Sequence, residues 1–235
     1  MDPSVIRRIL AAGDSALLVE LGDRIEPAIN RQVHALALAL ERRAMPGLGE
    51  IVPSYCSLLV HYDPLARDYA EVEAFVSEAA CRCEAADTPA PREAEIPTVY
   101  GGTYGPDIAF VAAHNGLSVD DVIECHSGTT YTVYMLGFAP GFAYLGALPE
   151  TLVTPRLSTP RQVVPAGSVG IAGAQTGVYP IETPGGWRLI GRTPVTLFDP
   201  MTDPPTRLRP GDQVQFVPIS PGGFESRETA RVCFK

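Results

Sequence analysis

Two stretches concentrate the side chains able to do chemistry. Residues 164–187 read VPAGSVGIAGAQTGVYPIETPGGW. Here Ser168, Gln175, Thr176 and Tyr179 are single polar groups among glycines and small apolar residues, a mixture that suits backbone brought close to a small ligand. Neutral donors and acceptors of this kind match an amide or a lactam; equally, they would satisfy loop backbone. Residues 135–146 read MLGFAPGFAYLG. Gly137, Phe138, Pro140, Gly141 and Phe142 offer backbone donors and an apolar wall beside the first stretch.

Charge enters through arginine. Arg156 and Arg161 each follow a proline and bracket Leu157-Ser158-Thr159-Pro160. Stiff extended backbone would make them a preorganised fork for carboxylate or phosphate, or else a pair of surface ion pairs. Arg188 and Arg192 flank the Trp187 region and would join them. His126 closes an expected helix, where the dipole favours an imidazolium. It reads either as an acid or carboxylate anchor, or as a helix-end residue bonded to carbonyls. The remaining histidines, His34, His61 and His114, read as surface residues. No two histidines have metal-ligand spacing, so no dedicated zinc site is expected.

Bulk composition narrows the classes. The chain has 235 residues, 46% hydrophobic, with a net charge of −9. That balance argues against nucleic acid and anionic membrane as partners. Of 18 Lys and Arg, only Lys235 is lysine. A P-loop lysine, a Schiff-base lysine and a biotinylated lysine are therefore excluded within the body of the chain. Any anion must be met by Arg, backbone N–H groups or a metal. The five Cys have no disulfide-framework spacing, and no apolar leader is visible; a reducing cytoplasm is the expectation. Gly167-Ser168-Val169-Gly170 is not a nucleophile elbow, and no dinucleotide fingerprint occurs.

These residues need elements to hold them. Residues 1–83 read as an α/β sandwich. Strands are expected over 5–11 and 16–21, then a helix with Ile29, Val33, Leu36 and Leu40 on one face. Strands follow over 50–53 and 55–62. Asp63-Pro64 should open a second helix carrying Leu65, Tyr69, Val72 and Val76. The order β-β-α-β-β-α gives an open sheet covered by two helices. Residues 84–94 read as a linker. In residues 95–235, helices are expected from Pro106-Asp107 to Asn115 and from Ser118 to His126, the second with an acidic capping box. Residues 137–223 hold 13 of the 22 Gly and 14 of the 23 Pro. So many breaks forbid long helices and favour short strands in a closed barrel, with late strands over 195–198 and 213–217.

Several long motifs in order resemble the family of 5-oxoprolinase B-type subunits, also called the KipI or allophanate hydrolase subunit 1 family. They are Gly137-Phe138-x-Pro140-Gly141-Phe142-x-Tyr144-Leu145-Gly146; Thr159-Pro160-Arg161; Val164-Pro165-Ala166-Gly167-Ser168-Val169-Gly170-Ile171-Ala172-Gly173; Gln175-Thr176-Gly177-x-Tyr179-Pro180; Pro184-Gly185-Gly186-Trp187; and Gly191-Arg192-Thr193-Pro194. Gly13-Asp14, Pro53-x-Tyr55, Ile96-Pro97, Tyr104-Gly105-Pro106-Asp107 and His126 extend the likeness over nearly the whole chain.

The resemblance implies an α+β protein, with an N-terminal α/β sandwich domain followed by a cyclophilin-like β-barrel domain. It implies partners, a homologous C-type subunit and an A-type one, which together with this chain open 5-oxo-L-proline to L-glutamate using ATP, with Mg expected alongside and no biotin bound to this chain. Two alternatives come with it: a carboxyltransferase-type subunit that acts on urea or a related amide, and a non-enzymatic inhibitor of a sensor histidine kinase. Lactam chemistry assigns provisional roles. Arg156 and Arg161 would meet the γ-phosphate, and His126 would be an acid or anchor the lactam carboxylate. Gln175, Thr176 and the backbone over 137–141 would bind the lactam, with Phe138, Pro140, Phe142, Ser168 and Tyr179 as further substrate contacts.

Overall fold

The computed structural model describes residues 6–83, 89–146, 148–226 and 232–234. The chain folds as two compact units, residues 1–90 and 91–235.

The first unit contains β1 (Arg8–Ala11), β2 (Ala16–Glu20), α1 (Pro27–Arg43), β3 (Leu48–Pro53), β4 (Ser57–Tyr62) and α2 (Tyr69–Arg82). Its antiparallel sheet has the order β1-β2-β4-β3. Val33, Leu36 and Leu40 of α1 and Val72 and Val76 of α2 pack with Leu17, Val19, Leu58 and Val60 of the sheet, all fully buried. Each such side chain contributes roughly 1.5–3 kcal/mol by leaving water. Pro27 opens α1, and Arg42 and Arg43 lie in its last turn, where the dipole favours them. The second helix starts later than Asp63-Pro64 would place it. Asp68 caps it, its side chain accepting from the Glu71 amide while Glu71 reaches back to the Asp68 amide. That capping box fixes the helix start. Leu65 is left outside it, 97% exposed.

The second unit runs β5 (Glu93–Tyr100), α3 (Ile108–Asn115), α4 (Val119–Ser127), β6 (Thr130–Leu136), β7 (Ala143–Gly146), a short 3-10 turn (Glu150–Leu152), β8 (Arg161–Val164), β9 (Ser168–Ala172), β10 (Gln175–Val178), β11 (Thr183–Gly185), β12 (Arg188–Arg192), β13 (Gln213–Pro218), α5 (Pro221–Glu225) and β14 (Cys233–Phe234). Seven strands close a barrel in the order β12-β9-β10-β7-β6-β13-β5, with β5 returning to β12. Closure removes the free edges. Among the described residues only β13 and β5 pair in parallel; β14 adds to the start of β5, and β8 and β11 form a separate ribbon. The fold class expected from the sequence, an α/β sandwich followed by a β-barrel, is the one observed.

Three local expectations can be compared directly with the structure. Residues 195–198 make no ladder beyond a single Phe198–Thr206 bridge. Pro194 lacks an amide, and the Val195 amide bonds the Thr193 hydroxyl instead. Of the segment expected as linker, 84–88 lies outside the described residues, and Glu93 and Ala94 belong to β5. The capping box expected at Ser118 and Asp121 is present.

Candidate functional site

His126 is fully buried. Its Nδ1 lies 2.8 Å from the Tyr100 hydroxyl and its Nε2 lies 2.9 Å from Thr176 Oγ1. The Thr176 hydroxyl donates to Gly170 O at 3.0 Å, so toward the imidazole it accepts. This assigns the proton to Nε2: Tyr100 O–H donates to Nδ1, and Nε2–H donates to Thr176. Both ring nitrogens are thereby satisfied in the neutral state. Burial pushes the imidazole pKa down to about 3. The expectation of an imidazolium at the helix end is corrected, because desolvation outweighs the dipole. Nor does the ring bond helix carbonyls. The Tyr131 hydroxyl does that, donating to His126 O at 2.9 Å.

Strand β10 separates the expected site residues onto two faces, since successive side chains alternate. Thr176 and Val178 face the barrel interior with Ile171, Leu145 and His126. Gln175, Gly177 and Tyr179 face the other way, with Tyr144 and Trp187. Thr176 is fully buried and engaged by His126, so it does not reach a ligand on the outer face. Ser168 is buried, at 2% exposure, but alternation along β9 puts it with Gly170 and Ala172 on the side of Trp187, opposite Val169 and Ile171.

The outer face is aromatic. Phe142, Tyr144, Tyr179 and Trp187 meet edge to face, with centroids 4.8–6.4 Å apart. Gly177 lies beneath them. A Cβ there would sit 3.1 Å from both Phe142 Cζ and Trp187 Cζ3, and 2.9 Å from Ala143 O. The glycine is required by packed rings rather than by an approaching ligand. Phe142, Tyr179 and Trp187 are buried; Phe138, at 63% exposure, projects from them and touches Phe142 and Tyr179 edge to face. Burial raises the Tyr179 and Tyr144 hydroxyls above the ordinary phenol range, opposed in both by the nearby Arg156 cation.

Phe138 sits in the turn between β6 and β7. Its φ of 66° is left-handed, a conformation that costs a non-glycine residue roughly 1–2 kcal/mol and clusters at functional positions. Within this turn the amides of Gly137, Ala139 and Phe142 bond turn carbonyls. Pro140 has no amide. The donors expected from residues 137–141 thus reduce to those of Phe138 and Gly141, which bond no carbonyl among the described residues.

The two central arginines differ. Arg161 donates to Asp107 at 2.8 Å. Asp107 in turn accepts from the Leu189 amide at 2.7 Å, and its own amide donates to Leu189 O at 2.9 Å. Asp107 therefore pairs with β12 as a strand residue would, and Arg161 balances its charge. Arg156 has no carboxylate partner among the described residues. It is exposed, with its guanidinium 5.9 Å from the centre of the Trp187 ring. Of the other two, Arg188 donates to Pro155 O at 3.3 Å and stacks on Phe110, while Arg192 donates to Ala166 O at 2.8 Å. Neither extends a fork.

Sequence reasoning misses Asp107 and Tyr100. The Pro106-Asp107 pair reads as a helix opener, which it is; nothing local shows that the carboxylate turns back to a strand 82 residues on. Among the described residues no three His, Cys, Asp or Glu side chains gather as a metal would need, and no helix is long and apolar enough to cross a membrane.

Comparison with known proteins gives these features a context. Residues 7–208 match the carboxyltransferase domain family, subdomains C and D. The chain is 46% identical over 218 residues to the B subunit of 5-oxoprolinase from Bacillus subtilis, covering 88% of this chain and 91% of that protein. It is 48% identical over 219 residues to the corresponding 5-oxoprolinase protein of Escherichia coli O157:H7, covering 92% and 97%. The crystal structure of the K. lactis urea amidolyase superposes with a TM-score of 0.80 at 20% identity, over 98% of this chain and 17% of that one. At that identity the likeness is one of fold.

Proposed function

Because the chain belongs to the family of 5-oxoprolinase B-type subunits, we propose that it is the B-type subunit of an ATP-dependent 5-oxoprolinase, active in a complex with A- and C-type subunits. The observation that supports this choice of site is the exposed, left-handed Phe138 against Phe142 and Tyr179 of an aromatic face whose Trp187 ring has the Arg156 guanidinium 5.9 Å from its centre.

The chemistry has two demands. A lactam carbonyl is a poor electrophile, because attack must break amide resonance. Phosphorylation of its oxygen by ATP removes that resonance and makes the carbon electrophilic. Water adds there, the C–N bond breaks with the ring nitrogen leaving as an amine, and a second water hydrolyses the resulting acyl phosphate, giving glutamate, ADP and phosphate. The face offered here suits the lactam, a small flat ring with polar edges, through Phe138, Tyr144 and Gln175 on its surface and Phe142, Tyr179 and Trp187 behind them. It suits a triphosphate poorly. Arg161 is already matched by Asp107, leaving Arg156 as the one guanidinium on this face without a carboxylate among the described residues. Phosphoryl transfer needs several charges on the β- and γ-phosphates. This protein therefore holds the lactam, and a partner supplies most of the ATP and Mg site.

A second reading is favoured by the family's description as a carboxyltransferase domain. In it the same face presents a urea-like amide that takes the carboxyl group from a carboxybiotin carried on another protein, which is released as biotin. Lactam-dependent release of ADP by the assembled complex separates the two.

A further inference from the structure

We propose that Arg156 binds the carboxylate of the lactam and is the residue by which the enzyme distinguishes 5-oxoproline from a lactam without a carboxylate. This rests on the 5-oxoprolinase reading above and gives Arg156 a substrate role in place of the phosphate role expected from sequence.

The other cations of the site are each engaged elsewhere. His126 is buried and neutral, and lies on the opposite face of β10 from Tyr144 and Trp187. Arg161 is matched by Asp107. Arg188 is drawn to Pro155 O and Phe110, and Arg192 to Ala166 O and Phe224. Arg156 alone combines an exposed guanidinium with a place over the aromatic face.

The backbone around Arg156 is fixed while its exposed head is not. On one side Thr154 bridges Gly173 in both directions, at 3.4 and 2.8 Å, and Asn115 donates to the Thr154 hydroxyl at 3.0 Å. Pro155 has no amide, and its carbonyl accepts from Arg188. On the other side the Leu157 amide donates to Gly186 O at 2.8 Å. Residue 156 is thus held between the Thr154–Gly173 bridge two residues before it and the Leu157–Gly186 bond one residue after it. A guanidinium carried on fixed backbone and resting on an indole loses little freedom when it takes a carboxylate, and its planar fork matches that group's two oxygens. Its field reaches the Tyr144 and Tyr179 hydroxyls, which places it within range of a ligand on this face.

The test uses the assembled enzyme with ADP release as readout, comparing wild type, Arg156→Gln and Arg156→Lys on 5-oxo-L-proline and on 2-pyrrolidinone. Loss of one charge-assisted bidentate contact corresponds to about a 30-fold change in binding. Arg156→Gln is expected to raise KM for 5-oxo-L-proline about that much with kcat nearly unchanged, and Arg156→Lys to recover part of it. Wild type is expected to require at least about 30-fold more 2-pyrrolidinone than 5-oxo-L-proline. Emission of Trp187, the only tryptophan, reports whether each variant is folded; if Arg156→Gln is not, the wild-type substrate ratio and Arg156→Lys decide. An unchanged KM, a fall in kcat alone, or equal use of both lactams overturns the proposal while leaving the 5-oxoprolinase reading intact. A wild-type complex with no lactam-dependent turnover overturns both.

Discussion

At the residue scale, the account turns on what burial does to charge. His126 lies in the barrel core with its pKa near 3, against about 6.5 in an unfolded chain. The native state thus refuses a proton that the unfolded state accepts between those values. Stability is fully present above pH 6.5 and falls as pH drops below it. For this residue alone the loss between pH 7 and pH 5 is about 2 kcal/mol. Urea titrations at the two pH values should show it, and His126→Gln, which cannot be charged, should show less pH dependence than wild type whatever its absolute stability. Equal pH dependence would mean that the imidazole is protonated in the fold.

Arg161 gives a second test at this scale. Asp107 is nearly buried, and its pairing with β12 leaves one carboxylate oxygen to the guanidinium. Arg161→Gln should cost about 2 kcal/mol by leaving that carboxylate unmatched, less than a fully buried pair because Arg161 is partly exposed. Arg156→Gln should cost less than about 0.5 kcal/mol. Thermal melts of the two single variants give the comparison; similar losses would contradict the division of roles drawn between them.

At the scale of elements, Gly170, Gly177 and Gly185 of the 164–187 stretch are explained by packing, and Gly167 and Gly173 by their left-handed backbone. Gly170 brings its strand against Trp187 Cβ, and Gly177 leaves room for the Phe142 and Trp187 rings. Gly177→Ala should push the indole from its place, shift Trp187 emission to longer wavelength and destabilise the barrel by about 1–3 kcal/mol, the usual cost of overpacking. An unchanged spectrum and melting temperature would show that the rings yield easily.

The same elements show what a sequence makes legible. The β-β-α-β-β-α order, the helix faces of Val33, Leu36, Leu40, Val72 and Val76, and the Ser118–Asp121 box are local patterns, and local patterns are enough to find them. Glycine density points to close approach without saying to what, so a strand packed under aromatic rings reads as a ligand loop. The inward turn of His126 and Thr176 depends on which face of β10 each occupies, and the Arg161–Asp107 pair joins residues 54 apart. Neither is written in any short window. The resemblance carries the family and fold; it does not carry the separation of Arg156 from Arg161.

At the scale of the whole molecule, the proposal makes one barrel face, with its aromatic wall and an exposed Arg156 that has no carboxylate partner among the described residues, half of a phosphorylating site. The chain has no lysine before its last residue and a net charge of −9, which suits a protein that receives its cationic phosphate ligands from elsewhere. The proposed assembly is tested by mixing this protein with A- and C-type proteins and following ADP release from ATP with and without 5-oxo-L-proline. The account predicts ADP release that depends on the lactam and on all three proteins, with glutamate formed one for one. A well-formed complex that releases no ADP in response to the lactam, or that carboxylates urea in the presence of a biotin carrier, would contradict it.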